Sequence, residues 1–260
     1  RRQRQMCIRD RYIGVQEMID IHSIVKQSSI EAELIDDRLF TVTNIHNSLD
    51  LSDIKFDRSI LNKLIHRIVR YAFTGDEYAA FRDTLAVLAK NKMGKQGLNI
   101  AMSIAGSDYS SLDSAYKLVI MERQAKRKRF DKVSLSNEDY SILEQLFSRA
   151  HDFSERFEQK DSCKRLVYSL DENTFYDDVD IVADGSAILI DTSDNGVHNT
   201  IKYEALVLCI MMMNNSLDDG NRVIGIYNPI IGDYYSIDSS ELSQYTIDMV
   251  TQRLNDGLYN

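Results

Sequence analysis

The sequence predicts an α/β (α+β) fold in which a helical domain precedes a small mixed sheet flanked by helices, and three features predict it. Between residues 58 and 129, apolar side chains recur at helical spacing in several successive segments. Residues 179–193 read as two short apolar strands joined by a tight turn at Asp184, Gly185 and Ser186. After residue 135 the elements run helix, three strands, helix, strand. The 260 residues suffice for one full core or two modest ones. Boundaries fall at 1–11, a segment set aside, 12–134, the helical domain, and 135–260, the sheet domain.

In order along the chain, residues 1–11 are basic, lack an initiator Met and carry a Met-Cys-Ile-Arg-Asp-Arg run like a translated sequencing adapter. A native basic arm that binds nucleic acid is the alternative. Residues 13–26 are apolar at helical spacing, and 32–43 are extended or mixed. From Arg58 onward, Ile60, Leu61, Leu64, Ile65, Ile68, Val69 and Phe73 share one helical face, which Gly75 ends. Asp76 opens a second helix with Tyr78, Phe81, Leu85, Val87 and Leu88 as its core side. Residues 93–97 hold two glycines and read as a break. They are no phosphate loop, because no strand precedes them and the Gly-Lys-Ser/Thr ending is missing. A short helix over 98–105 ends at Gly106, and another starts within 111–114 and runs through Leu118, Val119 and Ile120.

Ser136 caps the next helix, which turns Leu143, Leu146, Phe147, Ala150, Phe153 and Phe157 inward. Strands follow at 164–170, 176–183 and 187–191, then an apolar helix over 199–214. A buried strand at 223–227 ends before Pro229, an edge strand covers 230–237 with a turn at Gly232 and Asp233, and a final helix starts at Ser239.

Composition excludes several classes. The apolar run at 205–213 is too short to span a bilayer, so no membrane association is expected. Cys7, Cys163 and Cys209 show no paired spacing and no neighbouring His cluster, which argues against disulfides or zinc and for a reducing, cytoplasmic setting. Charge is uneven: from Asp171 onward sixteen Asp and Glu stand against Lys202, Arg222 and Arg253, a balance of −13, which leaves +4 for the rest of a chain at −9. A protein grips a nucleic acid by neutralising phosphates, so the C-terminal part would need metal ions, the preceding helices or a partner to supply positive charge. The concentrated source is the run at 123–129, with Arg123, Lys126, Arg127, Lys128 and Arg129. It is either a solvated helix end that complements the helix dipole or a phosphate-facing patch.

Asp180 enters the hairpin and Asp191 leaves it. A twisted hairpin brings such residues to one rim, where two carboxylates would hold a hard divalent cation; the plain alternative is two solvated strand ends. These acids, together with the helix, three-strand, helix, strand order from residue 136 on, resemble the PD-(D/E)xK phosphodiesterase superfamily of nucleases. The resemblance implies a restriction-endonuclease-like core, with Asp180 and Asp191 as metal-binding and catalytic acids. It implies Mg²⁺ or Mn²⁺ as cofactor and hydrolysis of nucleic acid, DNA in the first instance. The lysine that this family places two residues after the second acid is Ser193 here, and a hydroxyl does not replace a cation beside a developing phosphorane.

Lys202, in the first turn of the next helix, is the substitute that the resemblance allows; a surface lysine is the alternative. A glutamate of the first core helix often completes the metal shell in that superfamily, and Glu155 or Glu158 matches by element, where a surface acid is the other reading. A helical domain ahead of such a core also resembles uncharacterised proteins of low-GC Gram-positive bacteria. Two functions follow: a metal-dependent nuclease, or a nuclease-like fold without catalysis that serves as a scaffold or binding module for protein or nucleic-acid partners.

Overall fold

Strand β1 (Ile19–Asp20), helix α1 (Ile21–Gln27), a 3₁₀ turn (Asp37–Leu39) and strand β2 (Thr41–Asn44) open the described part of the chain. The computed structural model describes residues 19–27, 35–127, 134–170, 173–214 and 223–258. Residues 13–18 of the helix expected over 13–26 lie outside these, and the described remainder begins as a strand.

The helical segment follows from local chemistry. Asp57 caps α2 (Arg58–Thr74) by accepting the Ser59 amide at 2.8 Å, and Gly75, at φ +65°, ends it in the left-handed conformation that a side chain resists. Asp76 caps α3 (Glu77–Ala80) in the same way. The one helix expected after Asp76 is two, α3 and α4 (Arg82–Lys90). Phe81 between them leaves helical geometry (φ −102°, ψ 13°) while its ring is buried in the core. The break expected at 93–97 is instead the start of α5 (Gly94–Ala101), which displaces the helix expected over 98–105. Its glycine serves packing: a Cβ on Gly97 would stand 2.7 Å from Leu88 Cδ1, so the missing side chain lets α5 close on α4. Helix α6 (Tyr109–Arg127) follows, then α7 (Asn137–Ser154), capped by Ser136 Oγ, which accepts the Asp139 amide at 3.1 Å.

Strands β3 (Lys160–Leu170), β4 (Asn173–Ala183) and β5 (Ser186–Ile190) form the expected antiparallel meander. Its second turn has Asp184 at φ 47° and Gly185 at φ 79°, the two positive angles that a tight hairpin needs. The Asp184 carboxylate also accepts the Gln159 amide at 2.7 Å, which ties the hairpin to the segment after α7. Helix α8 (Asn199–Asn214) then crosses over to β6 (Val223–Asn228), parallel to β5, and β7 (Asp233–Asp238) returns antiparallel before α9 (Gln244–Leu258).

Among the described residues the sheet has seven strands in the order β1-β4-β5-β6-β7-β2, with β3 also on β4. The strand expected at the edge, β7, is therefore interior: Thr41–Asn44 pairs along its outer side, Val42 opposite Tyr235. One core lies between the sheet and α2 to α7, and it includes Ile181, Ile188, Ile190 and Tyr227 from the strands. Phe153 of α7 stacks on Tyr227 with ring centres 4.3 Å apart. The other core lies between the opposite sheet face and α1, α8 and α9. The first core runs across residue 134, so the helices and the sheet share one interior. No helix among the described residues is long and apolar enough to cross a membrane.

Candidate functional site

Asp180 lies where the alternation of β4 breaks. Val179 packs in the core under α8, Ile181 packs in the core under α2, and the Asp180 carboxylate also meets α2. Two consecutive side chains thus lean to one face. Beyond the Ile181 and Ile188 pair, the side chain enters the ladder itself, and Asp180 Oδ2 accepts the Ile190 amide at 2.9 Å.

The partners of Asp180 come from α2. Arg70 donates to Oδ1 from Nε at 3.0 Å and from Nη2 at 2.6 Å, and His66 Nδ1 meets the same oxygen at 3.0 Å. His66 and Arg70 are one helical turn apart, so a single stripe of α2 presents both. Burial alone would push the Asp180 carboxyl up. The charges of His66 and Arg70, with the hydrogen bonds from His66 and the Ile190 amide, overcome it and hold the group far below the usual carboxylate range. Arg70 Nη1 also reaches Asp83 at 3.2 Å, Arg67 Nη1 reaches Asp83 at 3.1 Å, and Thr84 Oγ1 donates to Glu122 at 2.8 Å. Glu122 also pairs with Lys63, and the Thr84 hydroxyl, which accepts from Arg67 Nε at 3.4 Å, links it to the Asp83 group.

Asp191 has a different circle. Its Oδ2 accepts from Asn228 Nδ2 at 2.8 Å and from the Ser193 hydroxyl, whose oxygen also lies against the Gly196 carbonyl. Asn228 is fully buried and binds the Ser193 carbonyl at 2.9 Å, while its Oδ1 accepts the Ile230 amide at 2.9 Å. It clips the two strand ends together. Along β5, Ile188 and Ile190 face the core under α2 while Ala187 and Leu189 face the core under α8, so the alternation carries Asp191 to the α8 side of the sheet. Among the described residues, Asp180 and Asp191 share no side-chain partner.

The remaining candidates are also placed. Lys202 is buried on α8, with Nζ 2.6 Å from Asp37 and 5.5 Å from the Tyr235 ring centre, so its charge goes to the 3₁₀ turn and not to Asp180. Ser193, at the lysine position of the resembled motif, is bound into the loop after β5. Glu155 ends α7, with an exposed side chain 3.5 Å from Lys160 and 3.7 Å from His151. Arg123 pairs with Asp57 at 2.9 Å, the cap of α2. The backbone of Lys126 and Arg127 lies in α6, while Lys128 and Arg129 lie outside the described residues. Cys209 is buried in α8, and burial pushes its thiol up to about 12, which leaves it unreactive at neutral pH.

The acids as arranged do not fit a divalent ion. Such an ion needs several oxygens with free lone pairs, and both oxygens of Asp180 already accept donors, one of them a cation. No group of three or more His, Cys, Asp or Glu side chains able to hold a metal occurs among the described residues. His66, Arg70 and Asn228 are the residues that sequence reasoning missed. The available signal was the pair of cations, Arg67 and Arg70, set inside the apolar run of α2, where an unpaired charge would be costly. Compared with protein-family models, curated proteins and solved structures, the chain matches none.

Proposed function

We propose that this chain is a cytoplasmic nuclease-like protein that binds nucleic acid, DNA in the first instance, and uses its core acids for structure instead of hydrolysis. The observation that carries the reading is the state of Asp180, whose carboxylate accepts from Arg70, His66 and the Ile190 amide. A second reading, Mg²⁺- or Mn²⁺-dependent phosphodiester hydrolysis, is favoured by the order α7, β3, β4, β5, α8, β6, the order expected of a PD-(D/E)xK core. In both, the basic run at the end of α6 supplies the positive charge that the acidic C-terminal part lacks.

Fluorescence anisotropy on single- and double-stranded DNA across a salt series tests the binding. Affinity should fall with salt and should weaken when Lys126, Arg127, Lys128 and Arg129 are changed together to Ser. Absence of binding at every salt concentration overturns the reading and points to a protein partner. Digestion with Mg²⁺ or Mn²⁺ separates the two readings: the expected result is intact DNA, and cleavage that vanishes in Asp191→Ala selects the second.

A further inference from the structure

Residues 84–107 contain no Asp or Glu in a chain that holds 40, and Lys90, Lys92 and Lys95 fall close together within them. All three side chains are exposed. From Lys55 to Arg123 every other Lys and Arg meets a carboxylate within 3.8 Å, whereas these three meet none among the described residues. The fold gathers them at one corner. Lys90 closes α4, Lys95 lies in the first turn of α5, and the two helices pack so closely that a Cβ on Gly94 would stand 3.2 Å from Ala89 Cα. In the turn between them the Lys92 and Met93 amides donate to the Ala89 and Leu88 carbonyls at 3.1 and 2.8 Å. That turn sets Lys92 at φ 64°, so a lysine stands where glycine would avoid a conformational cost.

Like charges gathered in this way repel one another, and a polyanion laid across them relieves the repulsion. A chain of net charge −9 also repels a nucleic acid over most of its surface, so contact has to begin at a corner of the opposite sign. Lysine, a point charge on a flexible stem, suits phosphate oxygens, and it positions a nucleic acid without reading its bases.

We propose that the α4–α5 corner is a phosphate-backbone anchor for nucleic acid, in which Lys90, Lys92 and Lys95 each neutralise one phosphate. The inference rests on the reading of the chain as a nucleic-acid-binding protein and adds a second grip to the basic run at the end of α6.

The test is fluorescence anisotropy on duplex DNA across a salt series, with the wild type, the triple variant Lys90→Gln/Lys92→Gln/Lys95→Gln and the single variant Lys92→Gly. The slope of log affinity against log salt should be shallower by about 3 units in the triple variant, so that from 50 to 200 mM salt the wild type loses about 40-fold more affinity than the variant does. Lys92→Gly should have a slope shallower by about 1 unit while its urea midpoint rises, because glycine relieves the left-handed position; this variant keeps the test open should the triple variant fail to fold. DNA binding with the wild-type slope in these variants overturns the anchor and leaves the binding reading standing. No wild-type binding at any salt overturns both. Leu98 and Met102, exposed on the same helix, supply a further outcome. Wild-type binding to phosphatidylserine vesicles that is lost in Leu98→Ser/Met102→Ser, with the DNA slope unchanged in the triple variant, assigns the corner to a lipid surface and overturns the proposal.

Discussion

Asp180 and Arg70 bind each other directly, with His66 and the Ile190 amide also on Asp180 and Asp83 also on Arg70, so loss of either disturbs the whole set. Asp180→Ala leaves a buried guanidinium with Asp83 as its remaining carboxylate among these pairs, and the expected loss in urea unfolding is about 3–5 kcal/mol. Changing both residues to apolar side chains should cost less than the sum of the single changes, as a double-mutant cycle would show. The same pair sets an acid response. The folded carboxyl lies below its unfolded value, so its stabilisation is complete above an unfolded pKa of about 3.9 and is lost as pH falls from there toward the folded value. Urea midpoints measured from pH 5 downward, a range of about 3 units, should therefore fall more steeply for the wild type than for Asp180→Asn.

At the scale of the element, β6 is shaped by a missing side chain. A Cβ on Gly225 would stand 2.4 Å from Tyr234 Cε2, because the Tyr234 ring of β7 lies across it on the face under α7. Gly225→Ala is expected to cost about 1–3 kcal/mol in equilibrium unfolding, and the cost should shrink in a Tyr234→Ala background, where the ring is gone. The adjacent hairpin was legible from sequence because its turn chemistry is local: Asp184 and Gly185 tolerate the positive φ that the turn needs. The glycines of α5 were not legible in that way. Gly97 is glycine because Leu88 of another helix presses on it, and a neighbour brought by folding leaves no local pattern.

At the scale of the whole molecule, the helices and the sheet share a core that runs across residue 134, with Leu64 and Ile68 of α2 in the same cluster as Ile181, Ile188 and Tyr227. Unfolding should therefore be a single cooperative transition. Calorimetric and van't Hoff enthalpies should agree, and circular dichroism in the far and near ultraviolet should coincide. Two separate transitions would show that the helical part holds a core of its own. The second core, with α8 buried against the sheet, adds to the same cooperative unit because β5 and β6 line both interiors.

The sequence by itself determined the long helices over 58–74, 137–154 and 199–214, the Asp76 and Ser136 caps, the meander and the turn between the two hairpin acids, since each depends on periodicity or on chemistry within a few residues. Only the tertiary structure decided what those acids do. Asp180 and Arg70 are 110 residues apart in the chain, and Asn44 of β2 meets Asp233 of β7 across 189. Such partners are chosen when folding buries them together, where an unpaired charge or an open strand edge would be unfavourable, and spacing along the chain does not encode that choice.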